Sequence, residues 1–261
     1  MTIVRHELRL GKKAFVIWTA SIGFLLAICI FLFPEMKGQM DNISTMFSSM
    51  GSFTAAFGMD KLNFGSLVGY YAIECGNVLG LGGAFFSALC AVSILCKEEK
   101  DRTAEFLLTH PISRSRIVTE KLIAVLIQVT ALNIIIFMLS VVSIAAIGES
   151  IPWKVLSLLH LAFFFMQLEL CGICFGLSAF MRRGSIGAGL GLAFIFYFMN
   201  LISNIADSAS FLKYITPFGY CEGGQIVADL SLETVKILIG LALSVAAVAA
   251  AYVGYTRKDI H

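Results

Sequence analysis

Charged residues are scarce in this sequence. They make up 14% of its 261 residues, whereas a soluble domain carries about 25%. Hydrophobic residues make up 58%, and the chain has 22 Phe. This composition excludes an ordinary soluble domain and predicts an integral membrane protein, with one transmembrane domain over residues 1–261.

The sequence also lacks the alternating pattern of a membrane β-strand. Its apolar runs are continuous, and in lipid only helices and closed barrels satisfy every backbone polar group. An all-α fold is therefore predicted, with helices of about 20 residues to cross ~30 Å of hydrocarbon. The first apolar run lacks an obvious cleavage site, so we expect a retained anchor rather than a signal peptide. Six spans are predicted, roughly at 14–33, 68–96, 122–147, 155–181, 186–206 and 235–255.

Motifs for ATP hydrolysis are missing as well. Gly11–Lys13 lacks the upstream glycine spacing of a P-loop and the Ser or Thr that follows its lysine. Cys221–Gln225 matches a fragment of an ATPase signature, but it falls on the predicted outer side without a P-loop. We interpret that match as a coincidence and expect no enzymatic activity from this chain alone.

Cysteines are present but do not form a disulfide pattern. There are seven, an odd number, and nearly all lie in predicted spans. Cys171 and Cys174 have the spacing of a redox or metal site but no partner ligands in the sequence around them. Small residues at a helix contact are the better interpretation. No metal, no cofactor and no nucleic acid are expected on this chain.

The distribution of Lys and Arg predicts the orientation. Fourteen of the nineteen fall at the termini and in one set of loops, and five fall in the other set. Positive residues are enriched on the cytoplasmic side of multi-pass membrane proteins. Both termini and the loop between the second and third spans are therefore predicted to be cytoplasmic, in a multi-pass protein of the plasma membrane.

The loop from Lys97 to Lys121 holds six of those positive residues, more than a plain connection needs. Thr103–His110 is predicted to form a short amphipathic helix with Phe106 on its apolar side. Pro111 ends this helix, because proline disfavours a helical conformation in the residue before it. Ser113 can cap the next helix, which enters the membrane. The loop looks built to contact a cytosolic partner.

This pattern resembles the first cytoplasmic loop of ABC-2-type transporter permeases, the membrane subunits of many bacterial ABC exporters. That loop carries a Glu, Gly-Thr, Glu-x-Leu-Leu, Pro-hydrophobic-Ser-Arg and then a Lys that re-enters the bilayer. The matching positions here are Glu98 or Glu99, Thr103, Glu105, Leu107, Leu108, Pro111, Ile112, Ser113, Arg114 and Lys121. Arg102 departs from the pattern, because the family usually has Gly there.

The resemblance implies that this loop is a coupling helix seated in a groove of an ATPase subunit. ATP and Mg would then be bound by two copies of that partner, and a second permease, identical or homologous, would complete the pathway. The predicted ATPase contacts are Glu98, Glu99, Arg102, Thr103, Glu105, Phe106, Leu107, Leu108, Pro111, Ser113 and Arg114. Residues 2–13 would form an interfacial elbow helix; the alternative is a short positive flank.

Glu169 is the acidic residue placed nearest the middle of the bilayer. An intramembrane carboxyl group is costly and suggests function. It could contact a cationic substrate in the pathway, or it could be neutral and hydrogen-bonded to Gln128 or Asn133 of the third span. The glycines of 76–80 and 187–191 have small-xxx-small spacing. They could line the pathway between subunits or serve packing within the chain.

Two outer segments, at 34–66 and 207–234, are too short for domains with large cores. The first could hold an amphipathic helix near 43–57, and Tyr214–Phe218 of the second resembles a Tyr-x-x-Pro-Phe motif of the same family. The predicted function is an ATP-driven exporter permease for hydrophobic or amphipathic cargo such as antimicrobial peptides, drugs or lipids. The alternatives are an ATP-independent carrier or channel and, more remotely, an intramembrane metalloprotease using Glu98–Arg102 and Phe106–His110.

Overall fold

A computed structural model gives the fold of residues 2–38, 51–56, 62–63, 65–100, 112–181 and 185–258. All regular structure in these ranges is helical. The α-helices are α1 (Thr2–Lys37), α2 (Gly51–Ala56), α3 (Leu67–Ala91), α4 (Lys97–Lys100), α5 (Arg114–Ala146), α6 (Trp153–Phe180), α7 (Ile186–Ile205), α8 (Gly223–Asp229) and α9 (Thr234–Arg257). Two 3₁₀ helices, Asp207–Tyr214 and Pro217–Tyr220, lie between α7 and α8.

The six predicted spans are confirmed. By length and composition, α1, α3, α5, α6, α7 and α9 can each cross a membrane. The largest differences lie at the loop end of the bundle, which is the end that carries α4 and the first turn of α5. There α3 stops at Ala91 and gives way to turns, whereas α5 begins well before the predicted boundary. The loop from Lys97 to Lys121 therefore begins in helix α4 and ends in helix α5.

The N-terminal residues do not form a helix of their own. The predicted elbow, residues 2–13, continues into the first span without a break, as the first turns of the 36-residue α1. Its alternation of apolar and basic residues still separates a buried side, with Ile3 and Val4, from an exposed side. The boundary predicted at residue 13 is thus replaced by a continuous helix.

Helix α6 lies at the centre of the bundle. Over the 18-residue apolar stretch of α6, 67% of the residues are buried, against 17% over the corresponding stretches of α7 and α9. Small residues allow α9 to approach it closely: a Cβ atom on Gly172 would collide with Ser244, and one on Gly176 would lie 2.8 Å from the backbone oxygen of Ala247. The prediction that Cys171 and Cys174 mark a helix contact agrees with this packing, since both are buried there.

In each of the other two glycine runs, at least one glycine also packs within the chain. Residues Gly76–Gly80 form a π-helical turn inside α3, and a Cβ atom on Gly80 would lie 3.0 Å from the ring of Phe163 in α6. In α7, a Cβ atom on Gly189 would lie 2.9 Å from Val92. Packing inside one subunit is therefore sufficient to account for Gly80 and Gly189.

The segment between α7 and α9 folds back into the bundle. The Thr216 hydroxyl donates to the backbone oxygen of Phe196, and the Cys221 thiol contacts the backbone oxygen of Ala162 at 3.5 Å. Phe218 and Tyr220 are buried. The second 3₁₀ helix and the start of α8 thus lie between spanning helices. Of the helix predicted near 43–57, the structure describes α2, and the rest of that prediction falls outside the described residues.

Candidate functional site

A buried lysine organises the loop end of the bundle. The side chain of Lys121, in the second turn of α5, is fully buried. Its Nζ atom lies 2.5 Å from both carboxylate oxygens of Glu98 and 2.5 Å from the backbone oxygen of Ile94. Glu7 of α1 lies 3.9 Å away and also pairs with Lys97. A buried charge is costly unless it is paired and hydrogen-bonded, and Lys121 has both kinds of partner.

A second set of contacts joins the same segment to the C-terminal end of the chain. Lys258 pairs with Glu99 at 2.7 Å and donates to the backbone oxygen of Met181 at 2.8 Å. Arg114 donates to the backbone oxygens of Thr256 and Lys258, at 3.2 and 2.6 Å. These bonds connect α4, the start of α5 and the ends of α6 and α9.

The N-terminus of α1 is held by a carboxylate of α5. Glu120 accepts hydrogen bonds from the backbone N–H groups of Ile3 and Val4, at 3.0 and 3.4 Å, and pairs with Arg116 at 3.0 Å. The first N–H groups of a helix have no partner within the helix, and its N-terminus attracts negative charge. Glu120 meets both needs and attaches α1 to α5.

Four of the predicted ATPase contacts lie among the described residues, and each has a partner within the chain. Glu98 and Glu99, with side chains 15% and 13% exposed, are paired with lysines, and Arg114 binds the C-terminal backbone. Ser113 caps α5 as predicted, accepting from the N–H of Arg116. These partners hold the two ends of the loop to the bundle, and the predicted ATPase contact of the four residues stays a prediction. The other seven lie outside the described residues: Arg102, Thr103, Glu105, Phe106, Leu107, Leu108 and Pro111.

The pairing of Glu98 and Glu99 also bears on the metalloprotease hypothesis. A metal ligand needs a free carboxylate aimed at a shared site. Both carboxylates are instead engaged by ammonium groups. In the described part of the chain, no group of three or more potential ligands converges. The geometry gives this hypothesis no support.

Glu169 is buried among protein groups and does not face lipid. It is 2% exposed, and its Oε2 atom accepts from the hydroxyl group of Tyr220 at 2.9 Å. The carboxyl group also packs onto Gly240 of α9, where a Cβ atom would collide with it. Glu169 therefore lies where α6, α9 and the infolded segment meet.

The three residues predicted for the pathway do not come together. Asn133 donates to Gln167 at 2.7 Å, between α5 and α6, and Gln128 is 3.3 Å from the thiol of Cys90 in α3. Neither bonds to Glu169. The partner of Glu169 is Tyr220. This pair could not be predicted from the sequence, because no residue pattern near Tyr220 indicates that its loop folds back into the bundle.

Sequence reasoning also missed a buried hydrogen-bonded cluster. The Tyr71 hydroxyl of α3 donates to Ser140 of α5 at 2.9 Å and lies 2.7 Å from Nε2 of His160 in α6. All three side chains are buried. The only signal in the sequence is a histidine inside an apolar run, which needs a partner in lipid.

Six apolar helices around one core define a multi-pass membrane protein. A family model described as ABC-2 family transporter protein matches residues 1–260, almost the whole chain. The chain belongs to this family, and it is therefore an ABC permease, a membrane subunit and not itself an enzyme. The resemblance carried by the loop motif is thereby confirmed. A comparison with curated proteins finds no match.

Proposed function

We propose that this chain is the permease subunit of an ATP-driven exporter. Two permeases, identical or homologous, form the pathway, and two copies of a separate ATPase subunit bind ATP and Mg. The observation that carries the proposal is the family match over residues 1–260. ATP binding closes the ATPase pair, and the segment 101–111 carries that motion into the permease.

The contacts on both sides of this segment support a coupling role. Before it, Glu98 and Glu99 are paired with Lys121 and Lys258; after it, Arg114 binds the end of α9. A displacement of the segment would therefore act directly on α5 and α9, rather than being absorbed by a flexible connection. Glu120 extends the same connection to α1.

We propose a hydrophobic or amphipathic cargo, such as an antimicrobial peptide, a drug or a lipid. The spans are rich in Phe and Met, and α7 exposes Phe194 and Phe198. Vesicles that contain the permease and its ATPase would be screened for ATP-dependent movement of candidate compounds. ATP hydrolysis without stimulation by any hydrophobic compound would argue against this cargo class.

The coupling role predicts a loss of ATPase binding when the loop surface is changed. In the variant Glu105→Arg with Leu108→Asp, we expect that the ATPase no longer co-purifies. The first change reverses a charge, and the second replaces an apolar contact by a charged group. The permease should still fold, as measured by size-exclusion chromatography in detergent.

A matched control places the same changes at the opposite end of the bundle. Glu149→Arg with Leu230→Asp alters one exposed ion pair and one exposed apolar side chain there. Surface pairs of this kind contribute about 0–1 kcal/mol, so folding should be unaffected. Unchanged co-purification in the loop variant, or an equal loss in the control, would contradict the coupling assignment.

We also propose that both termini are cytoplasmic. Six spans are an even number, so both ends lie on one membrane side, and the positive residues favour the cytoplasm. Reporter fusions after His261 and within residues 43–57 are expected to report opposite sides. Matching sides would contradict the topology.

A further inference from the structure

A groove at the loop end of the bundle lies between α1, the end of α3 and α5. Its volume is about 260 Å³. Glu7 and Lys97, which pair with each other, line one end of it. Ala14 lies about two turns along α1 from Glu7, and Leu89 precedes Lys97 by eight residues, so both line the other end, together with Val125. The groove therefore leads from a charged pair into the apolar part of the spanning helices.

This groove is open to the lipid. Leu10, on the wall formed by α1, is 59% exposed, and Ile17, about two turns further along α1, is 64% exposed. Exposed apolar side chains on a spanning helix face lipid. On the other wall, the side chain of Lys97 is 25% exposed. Its ammonium group has three donors, and in the described structure Glu7 takes one of them. A lipid in the groove thus meets an apolar surface and an accessible cation.

Positive charge exceeds negative charge along this part of α1. At the charged end of the groove, Glu7 and Glu98 balance Lys97 and Lys121. Residues 2–13 add four exposed basic side chains, and Glu7 is the one acidic residue among them. In the part of the chain that the structure describes, no ion pair involves these four residues: Arg5, Arg9, Lys12 and Lys13. The groove therefore lies beside an unbalanced positive cluster, which attracts an anionic ligand.

Lys13 is the member of this cluster that helix geometry places nearest the open side of the groove. Successive residues of an α-helix are rotated by about 100°, so Lys13 lies about 60° around α1 from Leu10. Lys12 lies about 160° from Leu10, on the far side of the helix. A lysine at a membrane boundary extends its ammonium group to the level of the lipid headgroups. Lys13 and Lys97 can therefore bind one headgroup from the two walls.

We propose that the groove binds an anionic phospholipid from the leaflet at this end of the bundle, which is the cytoplasmic leaflet in the proposed topology. One acyl chain lies along Leu10, Ala14 and Leu89, and the phosphate contacts the ammonium groups of Lys13 and Lys97. Clusters of four to eight Lys and Arg beside a spanning helix recognise anionic lipids. A cytosolic protein could balance the same charges, but it could not reach the apolar part of the groove.

The test measures lipid binding to the purified permease alone in detergent. The probes are phosphatidylglycerol and phosphatidylcholine with the same acyl chains and the same fluorescent label on one chain. We expect phosphatidylglycerol to bind at least about tenfold more tightly at physiological ionic strength, since each basic residue near a charged membrane surface contributes about a fivefold effect. Equal affinity for the two lipids would overturn the proposal.

Two neighbouring lysines provide a matched pair of variants. Lys13→Gln should lower the preference for phosphatidylglycerol about fivefold, whereas Lys12→Gln should change it less than about twofold. Both residues are exposed and both changes remove one positive charge from α1. An equal loss in the two variants would overturn the proposal, because it would mean a diffuse attraction to the whole positive surface and not a site at the groove.

A second matched pair tests the apolar part of the groove. Ala14→Phe should fill it and weaken the binding of phosphatidylglycerol at least about tenfold. Ala20→Phe is the control, since Ala20 is exposed on the same helix and outside the groove. Size-exclusion chromatography in detergent checks that both variants fold. Binding by a folded Ala14→Phe variant as tight as in the wild type would contradict the site.

The competing occupant of the positive cluster is the ATPase subunit. If Lys13→Gln loses co-purification of the ATPase but binds phosphatidylglycerol like the wild type, the cluster belongs to the ATPase contact and the lipid proposal is wrong. Because lipid binding is measured without the ATPase and on either sidedness of the chain, failure of the lipid site is distinguishable from failure of the exporter proposal.

Discussion

The variant Lys121→Met is expected not to accumulate as a folded permease. Methionine removes the ammonium group that holds both oxygens of Glu98, and it leaves that carboxylate in a mostly buried position. Removing one partner of a buried pair costs about 3–5 kcal/mol, a large part of the ~5–15 kcal/mol that stabilises a typical protein. Expression and thermal unfolding in detergent measure the loss.

Two controls separate charge imbalance from lost packing. Lys97→Met should be milder, because Lys97 is 25% exposed and Glu7 keeps Lys121 within 3.9 Å. Lys121→Met combined with Glu98→Leu should regain most of the stability, since a buried pair replaced by apolar residues leaves no unpaired charge. Wild-type stability in the single variant would contradict this account. So would a double variant that is no more stable than the single one.

The second large effect is expected from Glu169→Leu. Leucine cannot accept from the Tyr220 hydroxyl, which would then be buried without a partner. Such a group costs about 1–3 kcal/mol. Glu169→Gln should stay near wild type, because its amide oxygen can still accept this bond. Thermal unfolding in detergent compares the two variants, which differ little in size but differ in their ability to accept a hydrogen bond.

A double variant isolates the bond itself. Tyr220→Phe removes the hydroxyl group, so adding it to Glu169→Leu should cost less than the sum of the two single changes. If Glu169→Gln keeps stability and ATPase coupling but loses transport of a cationic compound, the residue recognises cargo. If Glu169→Leu changes neither stability nor transport, Glu169 has neither role.

The spans were predictable because the bilayer imposes a local rule. A helix that crosses it must be apolar over about 20 residues, and this requirement is visible in any window of the sequence. All six spans were found in this way. Their ends were less predictable: α1 and α5 extend beyond the apolar run because charged residues such as Lys121 and Glu120 are paired inside the protein.

The loop motif predicted the family, and the family model confirmed it. The individual roles within the loop were harder to predict. A Glu beside a membrane boundary looks the same in a sequence whether it meets another protein or a lysine of its own chain. Glu98 and Glu99 meet lysines of their own chain. The ATPase contact predicted for this loop, including Glu105 and Leu108, stays a prediction.

The sequence by itself determined the membrane class, the number of spanning helices and the loop that marks the family, because each depends on composition or on residues close together in the chain. Tertiary structure alone decided which polar groups meet. Glu98 with Lys121, Glu169 with Tyr220, and Tyr71 with His160 join different elements. Such pairs depend on the rotation and depth of each helix in the bundle, which are set by packing at close contacts such as Gly172 and Gly176, and not by hydropathy.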